Sequence, residues 1–164
     1  MMHSAEALSD ALAQADIRKD EAGFRQLLDH LPAAIYTTDA DEVLTFANRA
    51  ATELAGRTPR PGIDKWCVSW RLYRTDGSPL PLDQCPMAVA LKEQRAVRDV
   101  EILAERPDGI RVPVMPFPTP LRDAAGNFCG AVNVLVDIGK LKRAEQAEAR
   151  RADVQAAEAT TIAA

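Results

Sequence analysis

Histidine and cysteine are scarce in this chain, and that scarcity bears on metal chemistry. The 164 residues include two histidines, His3 and His30, and three cysteines. These residues form no cluster, and no two cysteines have the Cys-x-x-Cys spacing. Because zinc sites draw several ligands from such clusters, we expect no metal site.

The chain also lacks an excess of basic charge and any long apolar run. Its formal net charge is −4 and its pI is about 5.2, whereas nucleic-acid-binding domains usually carry a basic patch or stripe. No apolar run approaches the roughly 18 residues that span a bilayer. The N-terminal segment MMHSAEALSDALAQAD has neither the basic nor the apolar region of a signal peptide. We therefore expect a cytoplasmic protein that binds neither nucleic acid nor membrane.

Signals of catalysis are equally scarce. Ser69, Ser78 and the cysteines have no evident histidine partner for nucleophilic catalysis. No glycine-rich nucleotide-binding box is present, and no histidine follows His30 to act as a phosphoacceptor. We therefore expect that the chain is not an enzyme and carries no kinase of its own.

The three cysteines, Cys67, Cys85 and Cys129, have two open interpretations. Free cysteine is among the most buried residue types, so buried reduced thiols are favoured. A redox or metal-binding role is the alternative. Since their spacing pairs none of them, we expect all three to be dispensable for folding.

The features that are present begin with two helical segments. Residues 4–20 are rich in alanine and carry a narrow apolar stripe at Leu8, Leu12 and Ala15. A second helix has apolar residues at i, i+3, i+4 and i+7, as a helix facing a core does, and Pro32 ends it. Those four residues are Phe24, Leu27, Leu28 and Leu31.

A β-hairpin followed by a short helix comes next. Residues 33–39 and 43–48 have the aromatic and β-branched residues of strands, and acidic residues form the turn between them. Asn48 stands where a helix N-cap is needed, and Gly56 stands where the helix must end in a left-handed residue.

Further on, Pro86 fits the first turn of a helix, with Asp83 as its expected cap. Three strands are predicted after it, at 98–106, 110–118 and 128–136. The middle one contains three prolines and must be irregular, because proline donates no ladder hydrogen bond. With the hairpin, these make five antiparallel strands split by a helical middle, which is an α+β domain.

From Lys140 the sequence is strongly helical by propensity, but Arg151 interrupts its apolar stripe. A weak coiled coil and a solvated helix fraying into the tail are both open. The predicted organisation is an N-terminal flanking helix at 1–22, a globular domain at 23–138, and a linker helix with a disordered tail at 139–164.

Several segments, taken in order, resemble the PAS family of sensory domains over roughly residues 24–146. LPAAIYTTDADEVLTFAN is similar to the opening hairpin of that family, and Asn48 with Gly56 brackets the helix after it. LPLDQCPMAVALKEQRAV is similar to the long helix of sensor-kinase PAS domains. GAVNVLVDIGKLKRAEQ is similar to the closing strand and exit motif. The resemblance implies a curved five-stranded antiparallel sheet with helices on one face, enclosing a small cavity.

In this family the cavity binds haem, flavin or a small metabolite, or side chains fill it. Flavin photosensors carry a reactive cysteine in an Asn-Cys-Arg-Phe-Leu-Gln run, whereas Cys67 stands in Lys-Trp-Cys-Val-Ser-Trp. Haem-binding members often use a histidine on the long helix, and residues 84–94 contain none. An axial Cys85 or Met87 is the chemical alternative. Flavin and haem are therefore disfavoured, the cofactor stays unknown, and we expect a colourless protein.

The resemblance also indicates candidate pocket residues, which are apolar or aromatic with one exception. Asn133 is a polar side chain within an apolar strand, and a buried amide needs partners, whether a ligand, a water or main chain. Trp66 and Trp70 have two possible roles: they cap the core, or they form a site on which a ligand ring stacks. The candidates are Tyr36, Phe46, Trp66, Trp70, Tyr73, Met87, Leu91, Met115 and Asn133.

The exit from the domain is predicted at Asp137 and Ile138. Gly139 replaces the usual threonine of the exit motif, which makes the junction more flexible. These features predict a sensory module that responds to a small molecule or to a partner, such as a kinase or another regulator. A ligand-free interaction scaffold with a filled core is the alternative. We also expect a homodimer held mainly by residues 5–20 and the sheet.

Overall fold

The computed structural model describes residues 2–14 and 21–163. A 3-10 turn at Leu82–Gln84 precedes the fourth helix. The helices are α1 (Met2–Gln14), α2 (Glu21–His30), α3 (Arg49–Ala55), α4 (Pro86–Glu93) and α5 (Ile138–Ala163). The strands are β1 (Ala34–Asp39), β2 (Leu44–Ala47), β3 (Arg71–Tyr73), β4 (Pro79–Leu80), β5 (Ile102–Glu105), β6 (Arg111–Arg122) and β7 (Phe128–Asp137).

The strands form one antiparallel sheet in the order β2-β1-β7-β6-β5-β3-β4. This confirms the predicted α+β class, although the sheet has seven strands where five were predicted. The added strands β3 and β4 meet across the Asp76-Gly77 turn, where Leu72 pairs with Leu80. Segments of three and two residues are too short for a strand periodicity to be recognised in the sequence.

Alternation along the strands gives the sheet two covered faces. The inner face carries Tyr36 and Leu135 and packs beneath α3 and α4 in one apolar cluster. The outer face carries Ile35 and Val134 and packs with α1 and α2 in a second cluster. Because both faces of β7 are covered, its sequence is apolar nearly throughout.

Helix α1 lies on the outer face, against β6 and β7. Ala5 and Leu12 are buried there, and Leu8 packs against the same cluster. Ser9 Oγ donates a hydrogen bond to the Phe117 carbonyl oxygen at 2.6 Å. The sheet of the same chain therefore covers the stripe that the sequence left open to a partner. Ala15, the third predicted member of the stripe, lies outside the described residues.

Asn48 caps α3 as predicted and also joins three elements. Its Oδ1 accepts hydrogen bonds from Ala51 N at 3.0 Å and from Ile35 N at 2.9 Å. Its Nδ2 donates to the carbonyl oxygens of Leu28 and Ala33, both at 2.8 Å. A single buried amide thus holds the end of α2, the start of β1 and the first turn of α3 together.

The other predicted helix boundaries have mixed outcomes. Gly56 ends α3 in the left-handed region at φ 64°, as predicted. Helix α4 begins at Pro86, but its cap is Cys85, whose Sγ accepts from Ala88 N at 3.5 Å. The prediction of Asp83 as the cap is wrong, because a proline in the first helical position puts the cap at the residue directly before it.

Helix α5 continues from the end of β7 without an intervening loop and remains helical to Ala163. It therefore runs through most of the segment for which the sequence predicts a disordered tail. Ile138 and Gly139 are its buried residues, and the helix beyond Leu141 is exposed. Among residues 2–14 and 21–163, no helix combines the length and apolar content needed to cross a membrane.

The packing of α1 yields a first prediction. Leu12→Ala should lower the free energy of unfolding by about 2 kcal/mol, the low end for such truncations, because a helix at the edge of the fold relaxes into the space that is left. Urea denaturation followed by circular dichroism measures the change. The matched control is Leu27→Ala, since Leu27 is 59% exposed, and it should change stability by less than about 0.5 kcal/mol. Equal effects would show that α1 does not pack on the outer face.

Candidate functional site

Four polar groups beside the inner face form a continuous hydrogen-bonded chain, here called the inner relay. The Tyr36 hydroxyl donates to the Trp66 carbonyl oxygen at 3.0 Å. The same hydroxyl accepts from Asn133 Nδ2, also at 3.0 Å. Asn133 Oδ1 in turn accepts from Phe117 N at 3.0 Å. Tyr36 and Asn133 are each 1% exposed, so the relay is shielded from water.

Asn133 lies where β7 pairs with the proline-rich part of β6. Pro116 and Pro118 flank Phe117, and Pro118 is the register partner of Asn133. The Pro118 carbonyl oxygen accepts from Val97 N at 3.2 Å, so the main chain of Pro118 faces away from β7 and the pairing with β7 stays in register despite the prolines. The Asn133 side chain adds an acceptor for the N–H of Phe117, which faces β7 opposite Val134. From sequence, the partner of the Asn133 amide could be a ligand, a water or main chain. In the structure, the main-chain N–H of Phe117 is one of its two partners.

The relay ends at a segment held in an uncommon backbone conformation. Trp66 and Glu42 both have positive φ, at 63° and 69°, which is rare for residues other than glycine. Trp66 N donates to Glu42 O at 3.0 Å, and Trp66 Nε1 donates to Glu42 Oε2 at 2.9 Å. The two residues therefore fasten the turn of the first hairpin to residues 64–70. Sequence reasoning missed this pair, because it placed Glu42 only among the acidic residues of the hairpin turn.

Two of the three thiols lie in the inner cluster beside the relay. Cys67 and Cys85 are buried, and Cys129 is half-buried. Burial raises the pKa of the Cys67 thiol. Burial and the nearby Cys67 raise the pKa of Cys85 to about 12. Burial also raises the pKa of Tyr36 well above its ordinary value. These groups stay protonated at neutral pH, and a buried thiol of raised pKa is a poor nucleophile.

The structure brings some of the predicted pocket residues together and separates others. Tyr36, Met87, Leu91 and Asn133 are all buried on the inner side, each at most 4% exposed. Trp66 packs against the same cluster and is half-buried. These five residues therefore lie close together on the inner side of the sheet.

The remaining four candidates lie elsewhere. Phe46 and Met115 pack in the outer cluster, so they do not face the interior, because the alternation of their strands directs them to the opposite side of the sheet. Tyr73 is half-buried with the Arg111 guanidinium 3.5 Å from its ring centroid. Trp70 is 49% exposed and lines a surface cleft instead of the core.

That cleft lies beside the residues following α3 and has a volume of about 330 Å³. Asp64 binds two arginines at its edge: Arg57 Nη2 lies 2.7 Å from Asp64 Oδ2, and Arg60 Nη2 lies 2.9 Å from Asp64 Oδ1. Burial raises the pKa of Asp64, but the Arg60 amide and both guanidinium groups outweigh it and leave that pKa lowered. The residues that line the cleft include Arg57, Arg60, Asp64, Lys65, Cys67 and Trp70.

The exit residues connect the relay strand to α5. Asp137 ends β7 four residues after Asn133, and its Oδ1 accepts from Gly139 N at 2.9 Å. Ile138 is 2% exposed and belongs to the outer cluster. A side chain at Gly139 would lie close to Pro113 and to the Asp137 carboxylate. The junction is therefore more closely packed than the glycine suggested from sequence.

In the ranges that the structure describes, the buried polar side-chain atoms have hydrogen-bond partners with one exception. Among the described residues, no group of three or more histidine, cysteine, aspartate or glutamate side chains is arranged to hold a metal ion. The amide of Asn133 is occupied by Phe117 N and Tyr36. The exception is Thr38 Oγ1. Within the described part of the chain, it is buried and has no hydrogen-bond partner. It lies on β1, two residues from Tyr36, on the same face.

A family model for the PAS fold matches residues 28–143 of the chain. The chain therefore belongs to the PAS family, as its sequence motifs suggested. PAS relatives are sensory and signalling modules, which supports the predicted function at that general level. No curated protein matches the chain.

Solved structures share this fold at low sequence identity. An RNA-binding light-oxygen-voltage receptor is 19% identical with a TM-score of 0.57, and the match covers 84% of this chain and 38% of that one. The PAS domain of the fruit-fly ELK potassium channel is 13% identical with a TM-score of 0.55, covering 71% and 94%. A light-oxygen-voltage domain studied with a flavin analogue is 16% identical with a TM-score of 0.52, covering 84% and 99%. These likenesses establish the fold alone, and this chain spans less than two fifths of the first structure.

The inner relay yields a second prediction, for a double-mutant cycle. Asn133→Leu should lower the free energy of unfolding by about 1 to 3 kcal/mol, because it removes two buried hydrogen bonds, one from Phe117 N and one to the Tyr36 hydroxyl. Tyr36→Phe should cost about 1 kcal/mol, and the two changes should couple by at least about 0.5 kcal/mol. Chemical denaturation measures all three values. Tyr73→Phe is the matched control and should change stability by less than about 0.5 kcal/mol; full additivity of the first pair would contradict the relay.

The buried thiols yield a third prediction, on alkaline pH. The folded protein keeps Cys67 and Cys85 protonated above the pH at which thiols ionise in the unfolded chain, near 9.0. The unfolded state then binds fewer protons, so stability is complete below about pH 8 and falls from about pH 9 upward. At pH 10 the loss should be about 1 kcal/mol per thiol. Melting temperatures of Cys85→Ala should fall less steeply with pH, whereas Cys129→Ala should follow the parent; identical slopes for all three proteins would refute the assignment.

Proposed function

We propose that this chain is the sensory module of a signalling protein and that it responds to a small molecule or a partner. The observation that supports this most is the inner relay, because it joins residues 64–70 to the strand that continues into α5. A hydrogen-bonded chain shielded from water responds strongly to the loss or exchange of a single partner. A stimulus at one end would therefore bias the arrangement at the other.

The relay has one point at which a ligand would compete for a partner. The Tyr36 hydroxyl is bonded at once to Trp66 and to Asn133. A polar group entering the inner cluster would replace one of these bonds, and the unpartnered Thr38 Oγ1 offers it a second contact. Asn133 would then change its hold on Phe117 N, and β7 would pass the change to Asp137 and α5. Such a ligand acts through its different affinity for the two arrangements.

A ligand-free scaffold is the second candidate function, and a specific observation favours it. Both ends of the Asn133 amide are bonded to protein groups, and the four fully interior candidates are almost inaccessible to solvent. A core filled in this way needs no ligand for its stability. In that case the domain would serve to bind a partner through its sheet or its flanking helices.

The wider context is part of the same proposal. We place the module in the cytoplasm, without catalytic activity, as a homodimer that acts on a kinase or another regulator. Helix α1 covers the outer face of the sheet in its own chain. The dimer would therefore use the exposed side of α1, where Ala7 and Ala11 lie, or the exposed length of α5. Truncating the first 20 residues would expose apolar side chains of β6 and β7, so point substitutions test the interface more cleanly than the deletion does.

A fourth prediction tests sensing and assembly together. Native mass spectrometry of freshly purified full chain should show a dimer that carries a co-purified small molecule, released on collisional activation. Tyr36→Phe should reduce the bound fraction, because the relay loses its central hydroxyl, whereas Tyr73→Phe should leave it unchanged. An empty dimer from several expression conditions would reject the ligand and favour the scaffold.

The same spectra locate the dimer contact. The double substitution Ala7→Glu and Ala11→Glu should shift the protein toward monomer, because it places like charges on the outward side of α1. The matched pair Ala152→Glu and Ala156→Glu on the exposed part of α5 should not. The reverse result would assign the contact to α5, and a monomeric parent at high concentration would reject the homodimer.

A further inference from the structure

The surface cleft beside residues 57–70 concentrates positive charge in an acidic protein. Three cationic side chains, Arg57, Arg60 and Lys65, line it together with one carboxylate, that of Asp64. Because the pKa of Asp64 is lowered, this carboxylate is ionised at neutral pH, and the cleft carries two net positive charges. The whole chain has a net charge of −4, so the cleft differs in sign from the rest of the molecule.

Asp64 orients the two guanidinium groups without using up their donors. Arg60 gives it three bonds, from N at 2.9 Å, from Nε at 3.1 Å and from Nη2 at 2.9 Å. Arg57 donates to Asp64 at 2.7 Å and to the Val68 carbonyl oxygen at 2.8 Å. The Arg60 side chain remains 61% exposed, so it can still bind an anion. Arginines fixed in this way lose little freedom on binding, which favours affinity.

An exposed aromatic ring completes the cleft. Trp70 is 49% exposed, so a large part of its ring is accessible to a ligand. The Arg71 guanidinium lies 5.8 Å from its ring centroid. A planar ring and fixed guanidinium groups on one lining match a molecule that has an aromatic ring next to an anionic group. The volume of about 330 Å³ is at the small end of ligand sites.

We propose that this cleft binds a small aromatic anion, that is, a single-ring compound bearing a carboxylate or a phosphate. The anionic group contacts Arg60 and Arg57, and the ring lies against Trp70. Binding itself needs nothing from the sensory proposal. Its use as a signal rests on that proposal and on the path described next.

The floor of the cleft is continuous with the inner relay. Cys67 lines the cleft, and it directly follows Trp66, whose carbonyl oxygen accepts the Tyr36 hydroxyl. Trp66 also has a positive φ, a conformation that its surroundings must maintain, so altered contacts in this segment would move that carbonyl oxygen. A ligand bound between Arg60 and Trp70 would therefore contact the segment that contains Trp66, at the end of the relay. The cleft is a candidate input for the signal that α5 carries away.

A titration of the full chain tests this site. Benzoate and phenyl phosphate are added to isotope-labelled protein, and the indole N–H resonance of Trp70 is followed, with benzyl alcohol and inorganic phosphate as comparison compounds. Both aromatic anions should saturate with a Kd of about 1 mM or tighter, as compounds of this size give. Arg60→Ala should weaken both about tenfold, the loss of one charge-assisted hydrogen bond. Arg95→Ala, another exposed arginine outside the cleft, should leave both unchanged.

Further results separate the parts of the proposal. Trp70→Ala, in which the backbone amides of residues 57–69 are followed instead of the indole, should remove the preference for phenyl phosphate over inorganic phosphate. Equal binding of benzyl alcohol and benzoate, an equal loss with Arg95→Ala, or binding of an acidic peptide but of no small anion would overturn the site. If Trp70 shifts at saturation while the amides from Asp137 to Leu141 do not, the site stands and its sensory use fails. If the amides from Asp137 to Leu141 shift as well, the binding site and its sensory use are both supported.

Discussion

The buried amide of Asn133 is the constraint on which the rest of the structure depends. It lies in the most buried strand of the sheet, opposite Pro118 of β6. A buried polar group left without a hydrogen-bond partner costs about 1 to 3 kcal/mol. Phe117 N supplies one partner at 3.0 Å, and the Tyr36 hydroxyl supplies another, also at 3.0 Å. The polar relay in the core thus follows from the need to satisfy one buried amide.

Phe117 connects the two faces of the sheet. The carbonyl oxygen of Phe117 accepts from Ser9 of α1, while its N–H belongs to the inner relay. Its ring lies in the outer cluster, with the Arg98 guanidinium 5.7 Å from the centroid. Arg98 also pairs with Asp10 of α1 at 3.1 Å. Phe117 therefore contacts both the relay, through its N–H, and the flanking helix, through its carbonyl oxygen.

Sequence reasoning located the features that depend on local chemistry. Asn48, Gly56 and the apolar closing strand were predicted because capping, left-handed glycine and continuous burial each leave a signature within a few residues. The face to which a strand residue points depends on register, which the turn and the bulge set. Phe46 and Met115 were therefore assigned to the interior although they lie on the outer face. The Glu42–Trp66 pair joins residues 24 positions apart, and no local pattern reports a contact of that separation.

Residues 64–70 belong both to the surface cleft and to the inner relay. They contribute Asp64 and Trp70 to the cleft, and they present the Trp66 carbonyl oxygen to the relay. Glu42 and the hairpin turn hold them through two hydrogen bonds to Trp66. A sensor and a scaffold would differ in this segment more than in the core, because the core is packed in either case. If the segment has two arrangements of similar free energy, the relay converts them into two positions of β7 and α5. If it has one, the same bonds make the domain a rigid platform for a partner.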